Sequence, residues 1–206
     1  MNKLSKSLII IFAVLVIDQG LKIWIKTNMM LGQEYRIFDW FIIHFVENNG
    51  MAFGMELSGK FGKVVLSVFR IVAVFGIGWY LYKITKDEKS SMGLIVCVSM
   101  ILAGALGNII DSAFYGLLFD ASYGNVAAFL PEGGGYAPFL HGKVVDMFYF
   151  PLWKGVYPDW LPWVGGDRFI FFRPVFNVAD ASISVGIMIL LIFQKKFLPH
   201  PAEEEV

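Results

Sequence analysis

Four apolar stretches, at about 7–25, 64–82, 92–110 and 175–193, constrain this chain more than anything else in it. Each approaches the roughly 20 residues that a helix needs to span a hydrocarbon core of about 30 Å. Composition agrees: 57% of the 206 residues are hydrophobic and 17% charged, against about 45–50% apolar and about 25% charged in a typical soluble domain. The expected fold is a single integral membrane domain over 1–206. It is all-α with a small β part: four transmembrane helices, a small extracytoplasmic antiparallel sheet, and outer loops at about 26–63 and 111–174.

Lys3 and Lys6 precede the first stretch as they would a signal peptide. That stretch, however, carries Asp18, Gln19 and Lys22 and lacks a small-residue cleavage site, so it reads as a retained helix. A net charge of zero argues against nucleic acid as a partner. The lone Cys97 sits in an apolar run and reads as packing, which leaves no disulfide framework.

An even number of spans puts both termini on one side. Lys3, Lys6, Lys83, Lys86, Lys89, Lys195 and Lys196 crowd short segments on that side. Lys26, Arg36, Lys60, Lys63, Lys143, Lys154, Arg168 and Arg173 are spread over the longer loops opposite. Long loops weigh little in the positive-inside rule, so charge density predicts cytoplasmic termini. In that orientation Asp18, Arg70, Asn108, Asp111, Asn177 and Asp180 fall at one depth near the outer face. Intramembrane ionisable residues face the bundle interior and mark functional sites. Asn108 and Asp111 are three apart, as are Asn177 and Asp180, so each pair shares a helix face. Asp18 and Lys22 have the spacing of an intrahelical ion pair. Pro174 is expected in the first turn of the fourth helix, with Asp180 one to two turns in.

The loop YRIFDWFIIHFVENNGMAFG (35–54) is rich in β-branched and aromatic residues and closes on Asn48-Asn49-Gly50, a turn signal. It predicts the small outer sheet. The second loop joins PEGGGYAP to the strand-like GKVVDMFYF and then to a tryptophan-rich piece. Its Trp153, Trp160 and Trp163 suit the headgroup layer.

No H-E-x-x-H, G-x-S-x-G or Walker loop is present, and His44, His141 and His200 are far apart. Carboxylates are better placed. Asp146, flanked by apolar residues, and Asp180 would share one proton in a dry site, activating water against a peptide carbonyl. The bland alternative has Asp146 capping a turn and Asp180 paired with Lys22 or Arg70. A small transporter or a non-catalytic membrane scaffold could use the same carboxylates as ion-pair partners.

DQGLK (18–22), NNGMAF (48–53), GNIID (107–111), VVDMF (144–148) and FNVAD (176–180), in that order, resemble lipoprotein signal peptidase (signal peptidase II), the bacterial membrane aspartyl protease family. The resemblance implies Asp146 and Asp180 as the catalytic dyad. It implies supporting roles for Asp18, Lys22, Asn108, Asp111 and Asn177, and it places Asn48 and Gly50, with Ala52 and Phe53, in a loop beside the substrate. The implied substrate is a diacylglyceryl-modified prolipoprotein, cut just before its lipidated cysteine. Membrane lipid is the other implied partner, no metal or organic cofactor is required, and globomycin is the inhibitor. The expected setting is the bacterial inner membrane, as a monomer. Two departures stand out. Ser112 replaces the arginine of the family's G-N-x-x-D-R pattern, leaving Arg70, Arg168 and Arg173 as candidate substitutes, and the segment from 111 to 146 is longer than the compact pattern.

Overall fold

The computed structural model describes residues 1–49 and 59–197. Helix α1 (Lys3–Asn28) is N-capped by Asn2, whose side chain accepts from the Ser5 N–H at 2.7 Å, satisfying one of the orphan donors of the first turn. Its polarity is inverted relative to a soluble helix. Leu8, Ile9, Phe12, Val16 and Ile17 are exposed, whereas Asp18, Lys22, Ile25 and Lys26 are buried. That arrangement suits a helix whose outer face meets lipid and whose inner face builds a polar site.

Strands β1 (Glu34–Phe38) and β2 (Phe41–Asn48) form an antiparallel hairpin. Helix α2 (Gly59–Lys86) leads through a tight turn to α3 (Met92–Ile110), N-capped by Ser91. The Lys3 ammonium donates to the carbonyls of Asp87, Glu88 and Ser90 at 2.8–2.9 Å, so the α1 start and the α2–α3 turn lie at one end of the bundle. Helix α3 is central and packs on α1, α2 and helix α5 (Val178–Ile192). It meets α5 through small residues: a Cβ at Gly104 would strike the Ala179 carbonyl and Ile183. Such residues let backbones approach closely where lipid offers helices no hydrophobic driving force. Beyond α3 the chain widens into a π-type turn (Asp111–Tyr115), followed by the short α4 (Gly116–Leu118).

Strand β3 (Val144–Tyr149) returns beside β2, and β6 (Val175–Phe176) pairs with β3, giving a four-stranded antiparallel sheet in the order β1-β2-β3-β6. Strands β4 (Trp153–Val156) and β5 (Arg168–Phe171) make a separate hairpin. After α5 a four-residue helix, α6 (Gln194–Phe197), ends the described chain.

The architecture is thus mostly helical with small antiparallel sheets. Among the described residues, three helices are long and apolar enough to cross a membrane: Lys3–Asn28, Val65–Lys86 and Met92–Leu118, while Val178–Ile192 is a shorter apolar helix. The fourth helix starts later than its apolar run suggests, at 178 rather than 175, and ends at 192 rather than 193. Val175 and Phe176 are drawn into the sheet by β3, and Asn177 supplies the cap. Pro174 therefore precedes a strand and is not in the first turn. The first two helices run beyond 7–25 and 64–82, so Lys26, Lys60 and Lys63 belong to helices rather than to an outer loop.

Candidate active site

Asp146 lies mid-strand in β3, 2% exposed, and Asp180 lies at the third position of α5, half-buried. The direct β6–Asn177–α5 junction brings them together. Asn177 caps α5 by accepting the Asp180 N–H at 2.9 Å, and its own N–H approaches Asp180 Oδ2 at 3.4 Å, a reciprocal capping box. Its side-chain amide donates to Asp146 Oδ1 at 2.7 Å, with the Asn108 Oδ1 and the Val145 carbonyl at 3.1 and 3.2 Å. One residue therefore binds both carboxyl groups. Asn48, at the end of β2, donates to Asp146 Oδ2 at 3.1 Å, and Asn108 donates to Asp180 Oδ1 at 2.8 Å.

Behind the two acids stands a charged frame. Lys22, fully buried, lies 2.9 Å from Asp18 Oδ2 and 2.9 Å from Asp111 Oδ2, and donates to Asn108 Oδ1 at 3.0 Å. All three ammonium protons have partners, which is what makes a buried lysine tolerable. Asp18 Oδ1 accepts the Ala179 N–H at 2.9 Å, and Asp111 Oδ2 accepts the Val145 N–H at 3.1 Å. Each framing carboxylate thus grips the backbone one residue before a member of the pair. Gln19 spans the same acids, donating to Asp18 Oδ2 and Asp111 Oδ1, and receives the Tyr115 hydroxyl. Among the described residues, no buried side-chain nitrogen or oxygen lacks a hydrogen-bond partner.

Burial, and then the neighbouring Asp180 charge, push the Asp146 carboxyl up to about 7, against the opposing pull of Asn48, Lys22 and Asn177. The Arg70 guanidinium, on α2, is within electrostatic reach of Asp180, Asp111 and Asp146. Arg168 and Arg173 are exposed, which favours Arg70 among the three substitutes for the missing arginine. Ser112 turns its hydroxyl back onto the Asn108 carbonyl at 3.0 Å.

Asp18, Lys22, Asn48, Asn108, Asp111, Asn177, Asp146 and Asp180 thus form one connected cluster. Gly50, with Ala52 and Phe53, lies outside the described residues. The bland alternative is met only in part: Asp146 is in a strand rather than at a turn and Lys22 is engaged by Asp18 and Asp111, while Arg70 does lie within electrostatic reach of Asp180. Gln19 and Tyr115 were not singled out as site residues by sequence. The only signal was Gln19 inside the DQGLK motif.

The family described as signal peptidase (SPase) II matches residues 10–195. A lipoprotein signal peptidase of Porphyromonas gingivalis is 52% identical over 183 residues, covering 89% of this chain and 80% of the relative. One from Amoebophilus asiaticus is 37% identical, covering 92% and 77%. A solved structure described as a bacterial membrane enzyme shares 25% identity, with a TM-score of 0.63 over 98% of this chain and 94% of its own. With its polar cluster at the meeting point of α1, α3, α5 and the sheet, the chain belongs to the signal peptidase II family.

Proposed function

We propose that Asp146 and Asp180 are the catalytic dyad with which this membrane protease removes the signal peptide of lipoprotein precursors. The carrying observation is that both carboxyl groups bond to Asn177 while Asp146 holds its proton to about pH 7. Two acids sharing a dry site divide one proton between them. Water then loses a proton to the ionised carboxylate as its oxygen attacks the scissile carbonyl carbon. The retained proton goes to the carbonyl oxygen. Collapse of the tetrahedral intermediate breaks the C–N bond, and a dyad proton passes to the departing amine of the cysteine.

Lys22, Asp18, Asp111 and Asn108 hold the dyad, and Asn48, with Gly50, flanks the substrate. The substrate is a prolipoprotein bearing a diacylglyceryl cysteine. It enters laterally from the bilayer, with its acyl chains remaining in lipid. Four spans, with α5 and α6 completing the fourth, put both termini in the cytoplasm and the dyad near the outer face of the inner membrane. The β-sheet lies outside, and the enzyme acts as a single integral domain and a monomer. The transporter and scaffold readings are not favoured by the family to which the chain belongs.

The test is cleavage of a diacylglyceryl-modified precursor by purified protein, with unmodified precursor as control. Asp146→Asn and Asp180→Asn are each expected to lower turnover by at least about 1,000-fold, since each removes a group acting directly in proton transfer, while the protein stays folded. Near-normal turnover in either variant refutes the dyad.

A further inference from the structure

A second buried ionic cluster lies behind the catalytic strands, and the cleavage chemistry makes no use of it. Lys26, one turn past Lys22 on α1 and fully buried, donates to Glu47 Oε1 at 2.6 Å and to Ser122 Oγ at 2.8 Å. The Ser122 hydroxyl donates to the same Glu47 oxygen at 3.0 Å, and Lys143 donates to Oε2 at 3.1 Å. The rings of Phe45, Phe119 and Tyr136 surround the Lys26 ammonium at 5.9, 5.5 and 4.9 Å. Burial alone would raise the Glu47 carboxyl. The Lys26 and Lys143 charges outweigh it and hold the group below the usual carboxylate range.

This cluster binds the long exterior segment to the bundle. Segment 119–143 wraps the end of α1, with the Ala127 N–H on the Lys26 carbonyl and the Leu31 N–H on the Ser122 carbonyl. It supplies Ser122, Tyr136 and Lys143 to the cluster. The longer-than-family segment between 111 and 146 therefore helps to close around Glu47.

Strand geometry links Glu47 to the dyad. Side chains alternate between the faces of a sheet, so Glu47 points away from the face that Asn48 presents to Asp146. In the ladder Val46 lies opposite Asp146, Glu47 opposite Val145 and Asn48 opposite Val144. Val145 is the residue whose N–H meets Asp111 and whose carbonyl receives Asn177. The pairing is irregular between Ile43 and Val46, so the ladder below does not by itself enforce the register above it. A slip of one residue exchanges faces. It would withdraw Asn48 from Asp146 and bring an acid toward the dyad.

We propose that Glu47 is a positioning residue for this peptidase: its bonds to Lys26, Ser122 and Lys143 fix the register at which Asn48 meets Asp146. The inference rests on the dyad reading above. The groups that set the Asp146 charge are Asp180 on α5, Lys22 on α1, Arg70 on α2 and the amides of Asn48 and Asn177. Of these, only the Asn48 amide rides on β2 beside Glu47.

The test compares Glu47→Leu, Glu47→Gln and the double variant Lys26→Met/Glu47→Leu on the diacylglyceryl-modified precursor, with thermal unfolding in detergent as the stability readout. Glu47→Leu is expected to lower kcat by about 10- to 100-fold with KM nearly unchanged, the scale of a small misplacement of catalytic groups. Its alkaline limb moves to higher pH, because the amide that favours the ionised Asp146 is displaced. Glu47→Gln keeps an acceptor for Lys26 and Ser122 and recovers most of kcat. The double variant removes the stranded lysine and regains thermal stability while kcat stays low.

Wild-type kcat and pH profile in Glu47→Leu, or recovery of kcat together with stability in the double variant, overturns the proposal. So does failure of both to fold, which makes the pair a requirement of the fold alone. Asp146→Asn, run alongside, separates the two readings. If it still cleaves, the dyad assignment fails; if it is inactive while Glu47→Leu is normal, only the role of Glu47 fails.

Discussion

At the scale of single residues, Asp146 sits between opposing influences. Burial and the Asp180 charge favour its neutral form, whereas the Asn48 and Asn177 amides and Lys22 favour the carboxylate. The balance near 7 leaves the proton in place below that pH and removes it above. If the retained proton is required, kcat/KM falls as pH rises through about 7, and a pH–rate profile on lipidated precursor measures this limb directly. Asn48→Ala removes a donor to the charged form, so the limb moves upward. A profile unchanged by Asn48→Ala, or a limb that moves downward, contradicts this account of the proton. Lys26 and Glu47 show what a residue-level reading of sequence misses. Lys26 reads as an outer-loop charge and Glu47 carries no signal within the sheet-forming segment, yet they are a buried pair, because Phe119, Ser122 and Tyr136, which help enclose them, come from a segment remote in sequence.

At the scale of elements, the α3–α5 contact decides where Asp180 stands. A methyl group at Gly104 would press on the Ala179 carbonyl, and Ala179 is the residue gripped by Asp18. Gly104→Ala is expected to destabilise by about 1–3 kcal/mol through overpacking, read as a lower unfolding midpoint in detergent, and to lower turnover as α5 is displaced. An unchanged midpoint would mean that the two helices are not tightly apposed. The first three helices were legible because length and hydropathy suffice to mark them. The β2 and β3 segments were legible from their β-branched and aromatic runs. The start of α5 was not, since Val175 and Phe176 are as apolar as the helix they precede and hydropathy cannot separate strand from helix there. Asn177 with Asp180 three residues on, a capping pair, was the signal that could have placed it. The turn of the first hairpin, at Asp39 and Trp40, was hidden in the same way, inside an aromatic run.

At the scale of the whole molecule, Lys3 ties the start of α1 to the α2–α3 turn, while the sheet and the dyad gather toward the opposite end of the bundle. Under the proposed topology the first end is cytoplasmic. In intact cells Lys89→Cys should therefore resist a membrane-impermeant thiol reagent and Asp159→Cys should react; the native Cys97 is buried and contributes little background. The reverse pattern would invert the orientation. Motif order in the sequence was enough to collect eight polar residues into one cluster. How they divide the labour was not, because that depends on which backbone N–H each carboxylate reaches. Lys22 joins the two acids that hold those N–H groups, so the proposed reacting pair is mounted on a common jig. On that proposal, a bundle that tilts in a bilayer of different thickness carries both carboxyls with the same lysine, which resists change in the gap that a water molecule enters.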